Sequence, residues 1–338
     1  MYAIQLVEPS LTSFRRTALP DPQPGPGEVL IRLRAAALNY IDVAVATGRF
    51  PGAALPMVPV ADGAGDIVAL GEDVTGAAGV AVGDRVIPHF MPDWLDGPMR
   101  PERIAAMRGI TRPGSLSEYV AVPAASVVHL PDHLDFAQGA TLPIAATTAW
   151  NGVRSASVRP GSTVVILGTG GVSLFALQFA KASGATVILV SSSEAKLERG
   201  RGLGADHLVN YKTTPEWDKS VLEITGGRGA DLVVETIGGT SFARSLNAVA
   251  MGGTVFTVGF IAGSQTSFDL FSVIGKGVRI VGNSTGSVAD LAEAVRAIAA
   301  NRIVPVVDRR FGIDETFDAY AELAAGSRHF GKLAIVHG

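Results

Sequence analysis

Thr163-Val164-Val165-Ile166-Leu167-Gly168-Thr169-Gly170-Gly171-Val172-Ser173 is the stretch that decides the fold. Five strand-forming residues run into a glycine turn, and the turn opens onto the helical segment Ser173-Leu174-Phe175-Ala176-Leu177-Gln178-Phe179-Ala180-Lys181-Ala182. Gly168 permits a tight turn off the strand, Gly170 lets the backbone approach a pyrophosphate, and the helix N–H groups that follow point at the anion. Ser173 stands where the G-x-G-x-x-G pattern has its third glycine, and it is small enough for the helix to pack closely on the strand. Alone, such a turn is compatible with a loop that binds nothing. Between a strand and a helix it reads as a dinucleotide phosphate site.

The flanking sequence repeats the rhythm. Thr186-Val187-Ile188-Leu189-Val190 is a second apolar strand, Glu194 to Leu203 a helix ending at Gly204, and Asp231 to Glu235 and Gly253 to Gly259 further strands with glycine at their ends. Strands apolar on both faces that alternate with helices require a parallel sheet covered on both sides. Residues 25 to 125 differ: they are rich in Gly and Pro, with short runs such as Glu28 to Leu33, Gly65 to Leu70 and Asp84 to Pro88. Short strands between turn signals predict a mostly antiparallel or barrel-like domain. Val288 to Ile298 reads as an Ala-rich amphipathic helix and Lys332 to Val336 as a closing strand.

Composition narrows the function classes. At 338 residues the chain exceeds what one core fills, which predicts two domains. Apolar residues at 47% and charged residues at 17% are those of a globular protein. Lys and Arg total 28 against 31 Asp and Glu with no long run of like charge, so neither nucleic acid nor a membrane surface is an expected partner. Met1 to Glu8 has no basic leader and no uncharged apolar stretch reaches membrane-span length, which predicts a cytoplasmic protein. With no cysteine, disulfides, thiolate nucleophiles, iron–sulfur clusters and every Cys-containing zinc site are excluded.

The end of the second strand speaks to cofactor type. NAD-selective sites place Asp or Glu there to accept from the ribose 2′-hydroxyl, whereas this chain runs Val190-Ser191-Ser192-Ser193-Glu194-Ala195-Lys196. Three hydroxyls and the Lys196 ammonium suit a 2′-phosphate, so NADPH is the expected cofactor. The alternative is a capping serine before a helix with a solvated lysine, and a Glu194 turned toward a ribose would leave NADH possible.

Together with Gly161-Ser162 before the strand and Leu203-Gly204-Ala205-Asp206-His207-Leu208-Val209-Asn210-Tyr211 after the second helix, the turn resembles that of the medium-chain dehydrogenase/reductase superfamily. The resemblance extends to Pro24-Gly25-Pro26-Gly27-Glu28-Val29-Leu30-Ile31, Leu38-Asn39-Tyr40-Ile41-Asp42 and Gly79 to Val86, and so covers essentially the whole chain. It implies an α/β architecture: a GroES-like, mostly-β catalytic domain over 1–125, a Rossmann-type NAD(P)-binding domain with a doubly wound parallel sheet over 126–286, and a segment 287–338 returning to the catalytic domain. The strand-like Val278-Arg279-Ile280-Val281-Gly282 resembles the family's dimer-forming edge strand, which implies a homodimer or dimer of dimers.

Departures from the family pattern point to a subgroup. The zinc alcohol dehydrogenases carry metal ligands at the positions of Asn39, Ala61 and Ile144, and four cysteines in the loop corresponding to Met91 through Thr111. All are missing here, the six histidines show no ligand spacing, and only Asp62 remains as a family acid beside the metal position. Asn39 with Asp42 resembles the Asn-x-x-Asp of the zinc-free quinone oxidoreductase and zeta-crystallin branch. Without a Lewis acid, oxidation of an unactivated alcohol is hard, whereas quinones and enones delocalise the charge left by hydride delivery and need only hydrogen-bond donors.

The resemblance therefore implies a zinc-independent, NADPH-dependent reductase of a small quinone, enone or carbonyl compound. Asn39 is the implied amide donor and cofactor contact, Tyr40 a lining or proton-donating phenol, Thr148 a cofactor contact, and Tyr211 a neighbour of the 2′-phosphate. Each has a structural alternative: Asn39 tying a turn, Tyr40 and Tyr211 packing, Thr148 bonding back within its helix. Phe50, Phe90 and Trp94 are candidates for an aromatic pocket or for core, and His89 for a proton donor or a buried structural histidine. Two other functions stay open: an alcohol dehydrogenase or carbonyl reductase of the same superfamily, and a non-catalytic NADPH-binding protein.

Overall fold

The computed structural model describes residues 1–74, 79–326 and 328–338. In chain order its strands are β1 (Tyr2–Leu6), β2 (Phe14–Ala18), β3 (Glu28–Ala37), β4 (Asp62–Leu70), β5 (Arg85–Pro88), β6 (Tyr119–Pro123) and β7 (Val127–His129). There follow β8 (Thr163–Leu167), β9 (Thr186–Ser191), β10 (His207–Asn210), β11 (Ala230–Glu235), β12 (Val249–Thr257), β13 (Arg279–Gly282), β14 (Val307–Gly312) and β15 (Lys332–Val336). They form two compact units, Thr148–Thr285 and Met1–Thr147 with Gly286–Gly338. Residues 126–147 group with the N-terminal unit because β7 pairs antiparallel with β5, through Val86 opposite His129.

The unit Thr148–Thr285 is built on a sheet in the order β10-β9-β8-β11-β12-β13, every pair parallel. Counted from β8 this is 3-2-1-4-5-6, the doubly wound order, with the reversal between β8 and β11. The quoted stretch dictates this centre. Thr163–Leu167 is buried at every position, as a strand covered on both faces must be, and β9 and β11 on either side are almost as fully buried. The helix Gly171–Ala182 lays Leu174, Phe175, Leu177 and Phe179 onto the sheet. β12 begins at Val249, before the glycine pair at which the sequence predicts its start, because Gly252 at φ 70° absorbs an irregularity in its pairing with β11.

In the other unit, β14-β15-β3-β4-β5-β7 form one sheet with β6 added on β3. Only the β14–β15 pair is parallel. β15, near the chain's end, pairs antiparallel with β3, Ala334 opposite Ala37, so the C-terminal segment completes a sheet begun three hundred residues earlier. Phe90 and Trp94 are 2% and 7% exposed and belong to a core with Leu6, Leu38 and Tyr320, and Phe50 packs against that core. These aromatics are packing residues, since an apolar ring gains more from removal from water than from lining an open pocket. Among the described residues no helix is long and apolar enough to cross a membrane.

Candidate functional site

Within the unit Thr148–Thr285, the glycine turn sits at the C-terminal end of β8, beside the point where strand order reverses. Gly168 has φ 74°, a left-handed conformation that favours glycine, and donates its N–H to the carbonyl of Val190 at 2.8 Å. Thr169 is buried, Gly170 is the N-cap of Gly171–Ala182, and Gly171 and Val172 form its first turn. Their N–H groups have no intrahelical acceptor, so they and the helix dipole offer donors to an anion. Gly170 has φ −80°, and a Cβ built there meets no protein atom within 4 Å. The protein itself therefore leaves room for a side chain at Gly170, and the glycine keeps open a cradle where a phosphate group fits. Ser173 donates its hydroxyl to Leu167 O at 2.7 Å, pinning helix to strand in place of close glycine packing.

The residues after β9 gather on the same side. Ser191 ends the strand and its carbonyl accepts from Tyr211 N at 3.0 Å, which brings Tyr211, 42% exposed, to the C-terminal end of β9. Ser193 caps the helix Glu194–Gly202, its Oγ accepting from Lys196 N at 3.4 Å, so the capping role is real and its hydroxyl proton stays available to donate. Ser192 and Lys196 are half-buried beside it. Thr148, 1% exposed, lies in the helix Thr147–Ser155.

Sequence patterns did not point to what lies across the reversal. A cavity of about 560 Å³ opens past the ends of β12 and β13, bordered by Gly238, Thr257, Gly259, Phe268, Ile280 and Asn283. Thr257 Oγ1 in its wall is buried without a protein partner. Glu235, fully buried at the end of β11, accepts from the N–H groups of Ile237 and Gly238 and the hydroxyls of Ser241 and Ser245, and so fixes the loop beside that cavity.

In the other unit, Asn39, Ala61 and Ile144 converge on two buried carboxylates. Asp42 accepts from Asn39 N at 2.7 Å and from Ala61 N at 3.2 Å; Asp62 accepts from Asn39 Nδ2 at 2.8 Å and from Ile144 N at 3.4 Å. Lys332, the first residue of β15, donates to Leu38 O at 2.7 Å and Asn39 Oδ1 at 2.6 Å, with Asp62 Oδ2 4.0 Å away. Sequence reading sees Lys332 only as the start of a strand, because its partners lie nearly three hundred residues upstream. Val60, two residues before Asp62, takes φ 72°, which costs a β-branched residue about 1–2 kcal/mol.

Burial sets the protonation of this cluster. Loss of water pushes Asp42 up to about 6 despite the N–H groups of Asn39 and Ala61, and pushes Asp62 up to about 7 against the pull of Lys332 and Asn39. The same burial lowers Lys332, which the two carboxylates hold up, and lowers Arg108 to about 10 against the attraction of Asp62. Arg108 Nη2 donates to Ser115 Oγ at 2.9 Å, while its Nε and Nη1 and Asp62 Oδ1 are buried without protein partners.

The phenol of Tyr40 accepts from Arg49 Nη1 at 3.2 Å. His89 is fully buried, tied through Nδ1 to Met91 and lowered to about 4 by desolvation, so it is neutral at pH 7 and a structural histidine rather than an imidazolium donor. The side chains at 39, 61 and 144 are an amide, a methyl group and a branched alkyl, with no thiolate, imidazole or carboxylate among them to ligate zinc. Among the described residues no three His, Asp or Glu side chains gather as a metal site.

Comparison with known proteins agrees with both units. The profile of the alcohol dehydrogenase GroES-like domain matches residues 25–132, and that of zinc-binding dehydrogenases matches residues 171–300. A zinc-type alcohol dehydrogenase-like protein of Schizosaccharomyces pombe is 42% identical over 92% of this chain and 91% of its own length. A quinone oxidoreductase of Pseudomonas aeruginosa is 32% identical over 90% of this chain and 89% of its own. A crystal structure of an NAD-dependent alcohol dehydrogenase superposes with a TM-score of 0.89 at 34% identity, covering 100% of this chain and 100% of that one.

Proposed function

The chain belongs to the medium-chain dehydrogenase/reductase superfamily, and from that premise we propose that it is a cytoplasmic, zinc-independent, NADPH-dependent reductase of a quinone or activated enone. The observation that carries the reading is the polar cluster at the family's metal position. Asn39 is held there between Lys332 and Asp62, while Ala61 and Ile144 turn only backbone N–H groups to the cluster, spent on the Asp42 and Asp62 carboxyls. That arrangement supplies hydrogen-bond donors and no Lewis acid, which suits acceptors whose conjugation spreads negative charge.

The nucleotide would be held in two halves, as the doubly wound order requires. Gly168, Thr169, Gly170, Gly171 and Val172 would take the pyrophosphate. Ser191, Ser192, Ser193, Lys196 and Tyr211 would surround the adenosine 2′-phosphate, where no acid at the end of β9 opposes it. Thr148 and the cavity walled by Thr257 would receive the nicotinamide half. When bound, the reduced nicotinamide supplies a hydride to the acceptor. Asn39 would donate to a carbonyl oxygen, and Tyr40, kept in place by Arg49, would line the acceptor and return a proton. The exposed edge strand β13 would pair with a second copy to form a homodimer or a dimer of dimers.

Initial rates of NADPH and NADH oxidation against a panel of quinones, enones, aldehydes and ketones test this. Fast NADPH-linked turnover of quinones or enones supports it. Turnover confined to simple ketones and alcohols favours the alcohol dehydrogenase reading that the name of the Schizosaccharomyces pombe relative suggests, and tight NADPH binding with no turnover favours a binding protein.

A further inference from the structure

We infer that Lys332 is a positioning residue that fixes the Asn39 amide in one orientation, so that the group Asn39 offers to a bound molecule is an N–H and its complement is a carbonyl oxygen. The inference rests on the proposed hydride-transfer function only for what the bound molecule is.

An asparagine amide has two faces of opposite chemistry, and a free one presents either. Here neither face is free to exchange. Asn39 Oδ1 lies 2.6 Å from the Lys332 ammonium, a group with three donors and no acceptor, and Nδ2 lies 2.8 Å from an Asp62 oxygen. Rotating the amide by half a turn would set its NH2 against the ammonium, donor against donor. That clash stands whether Asp62 is ionised or protonated, so Lys332 decides the orientation and Asp62 reinforces it. Lys332 is itself immobile: its side chain is 5% exposed and a further donor is spent on Leu38 O at 2.7 Å.

Of the four hydrogen-bonding positions of the Asn39 amide, two on the carbonyl and two on the NH2 group, Lys332 takes one of the first and Asp62 one of the second. The NH2 group also bonds the Asp42 carboxyl, so a bound carbonyl oxygen shares or takes over its second N–H, which the same lock directs. Its donor strength is raised because the amide carbonyl accepts from a cation, and hydrogen bonds in series polarise one another. A positive charge thus acts on the bound molecule at one remove, through an amide. The complement is a carbonyl oxygen, either of the acceptor or of the nicotinamide carboxamide.

The test compares Asn39→Ala, Lys332→Met, Lys332→Arg and the double variant Asn39→Ala/Lys332→Met, with thermal unfolding to check each fold. Asn39→Ala and Lys332→Met should each lower kcat/KM for a quinone by about tenfold or more, and the double variant should fall no further than about twofold below Asn39→Ala, because both changes remove one device. Lys332→Arg, which still donates to Asn39 Oδ1, should recover most of the loss. A lower kcat with unchanged NADPH affinity assigns the N–H to the acceptor carbonyl, and a weakened NADPH Kd assigns it to the carboxamide. Losses that multiply in the double variant would overturn the inference.

Should Lys332→Met fail to fold, side-chain amide NMR of the wild-type protein labelled with 15N-asparagine decides. The Asn39 pair, identified by its loss in Asn39→Ala, should be dispersed and slow to exchange, and random-coil positions would refute the lock. That measurement needs no turnover, so an enzyme inert toward quinones would count against the proposed function and leave the lock standing.

Discussion

Asn210 donates its side-chain amide to Glu194 Oε1 at 2.5 Å, drawing the one acid near the end of β9 toward the end of β10. One oxygen of the carboxylate that could receive a ribose 2′-hydroxyl is engaged, and on the proposed reading Ser191, Ser192, Ser193 and Lys196 would face a phosphate. Lys196→Ala should therefore raise the KM for NADPH by about tenfold, the scale of one charge-assisted hydrogen bond, and leave that for NADH within about twofold. Steady-state kinetics with both nucleotides decide it, and equal weakening of the two would remove Lys196 from a phosphate site.

The two leading glycines of the turn should respond differently to the same methyl group. At Gly168, with φ 74°, alanine forces a left-handed backbone and should cost about 1–2 kcal/mol of stability by chemical denaturation. At Gly170 the backbone is ordinary and the space open, so alanine should change stability by less than about 0.5 kcal/mol. Its methyl group would instead occupy the phosphate cradle, and NADPH titration should show binding weakened by about tenfold or more, as loss of close backbone approach implies.

Asp62 predicts a pH dependence. Its carboxyl is raised to about 7 by burial, so the folded protein holds a proton that the unfolded chain releases near the ordinary carboxylate value of 3.8. The stability this contributes is full below that value and is lost as pH rises through 7. The groups facing it, Asp42, Lys332 and Arg108, are common to wild type and Asp62→Asn, so their difference isolates this residue. Relative to wild type, Asp62→Asn should gain on the order of 2–4 kcal/mol between pH 4 and pH 8 by urea unfolding. A difference that is flat with pH, or that falls, would show the carboxyl ionised throughout.

The sequence made the nucleotide-binding unit legible because its information is local. Thr163–Leu167 and the helix after Gly170 carry their own periodicity, and the strands at Thr186 and Asp231 begin within a residue of where the pattern places them. The cluster around Asn39 was legible in part. Asp42 follows within the same helical turn, and Asp62 falls at a family position, but Lys332 and Arg108 reach it only through sheet pairing and loop packing that no short-range pattern encodes. The aromatic residues stayed open between pocket and core for a related reason: Phe90 and Trp94 follow a strand as pocket residues do, and only tertiary burial shows them to be core.

The edge strand β13 pairs on one side only among the described residues, with β12, and Ile280 within it is 42% exposed. Phe271 and Ile274, shortly before it in sequence, are 74% and 68% exposed. Exposed backbone donors beside bare apolar side chains match pairing with a second copy. Sedimentation velocity should show a dimer or tetramer, and Ile280→Asp should shift it toward smaller species with little change in the unfolding midpoint at high dilution. A monomer at all concentrations would contradict the assembly.

The central claim, hydride transfer to a conjugated acceptor without zinc, is tested most directly on a single sample of untagged protein. Its metal content and its NADPH-dependent quinone turnover are measured before and after exhaustive chelation. The account predicts zinc far below one per chain and turnover unchanged by the chelator. Stoichiometric zinc whose removal abolishes turnover, and whose return restores it, would contradict it.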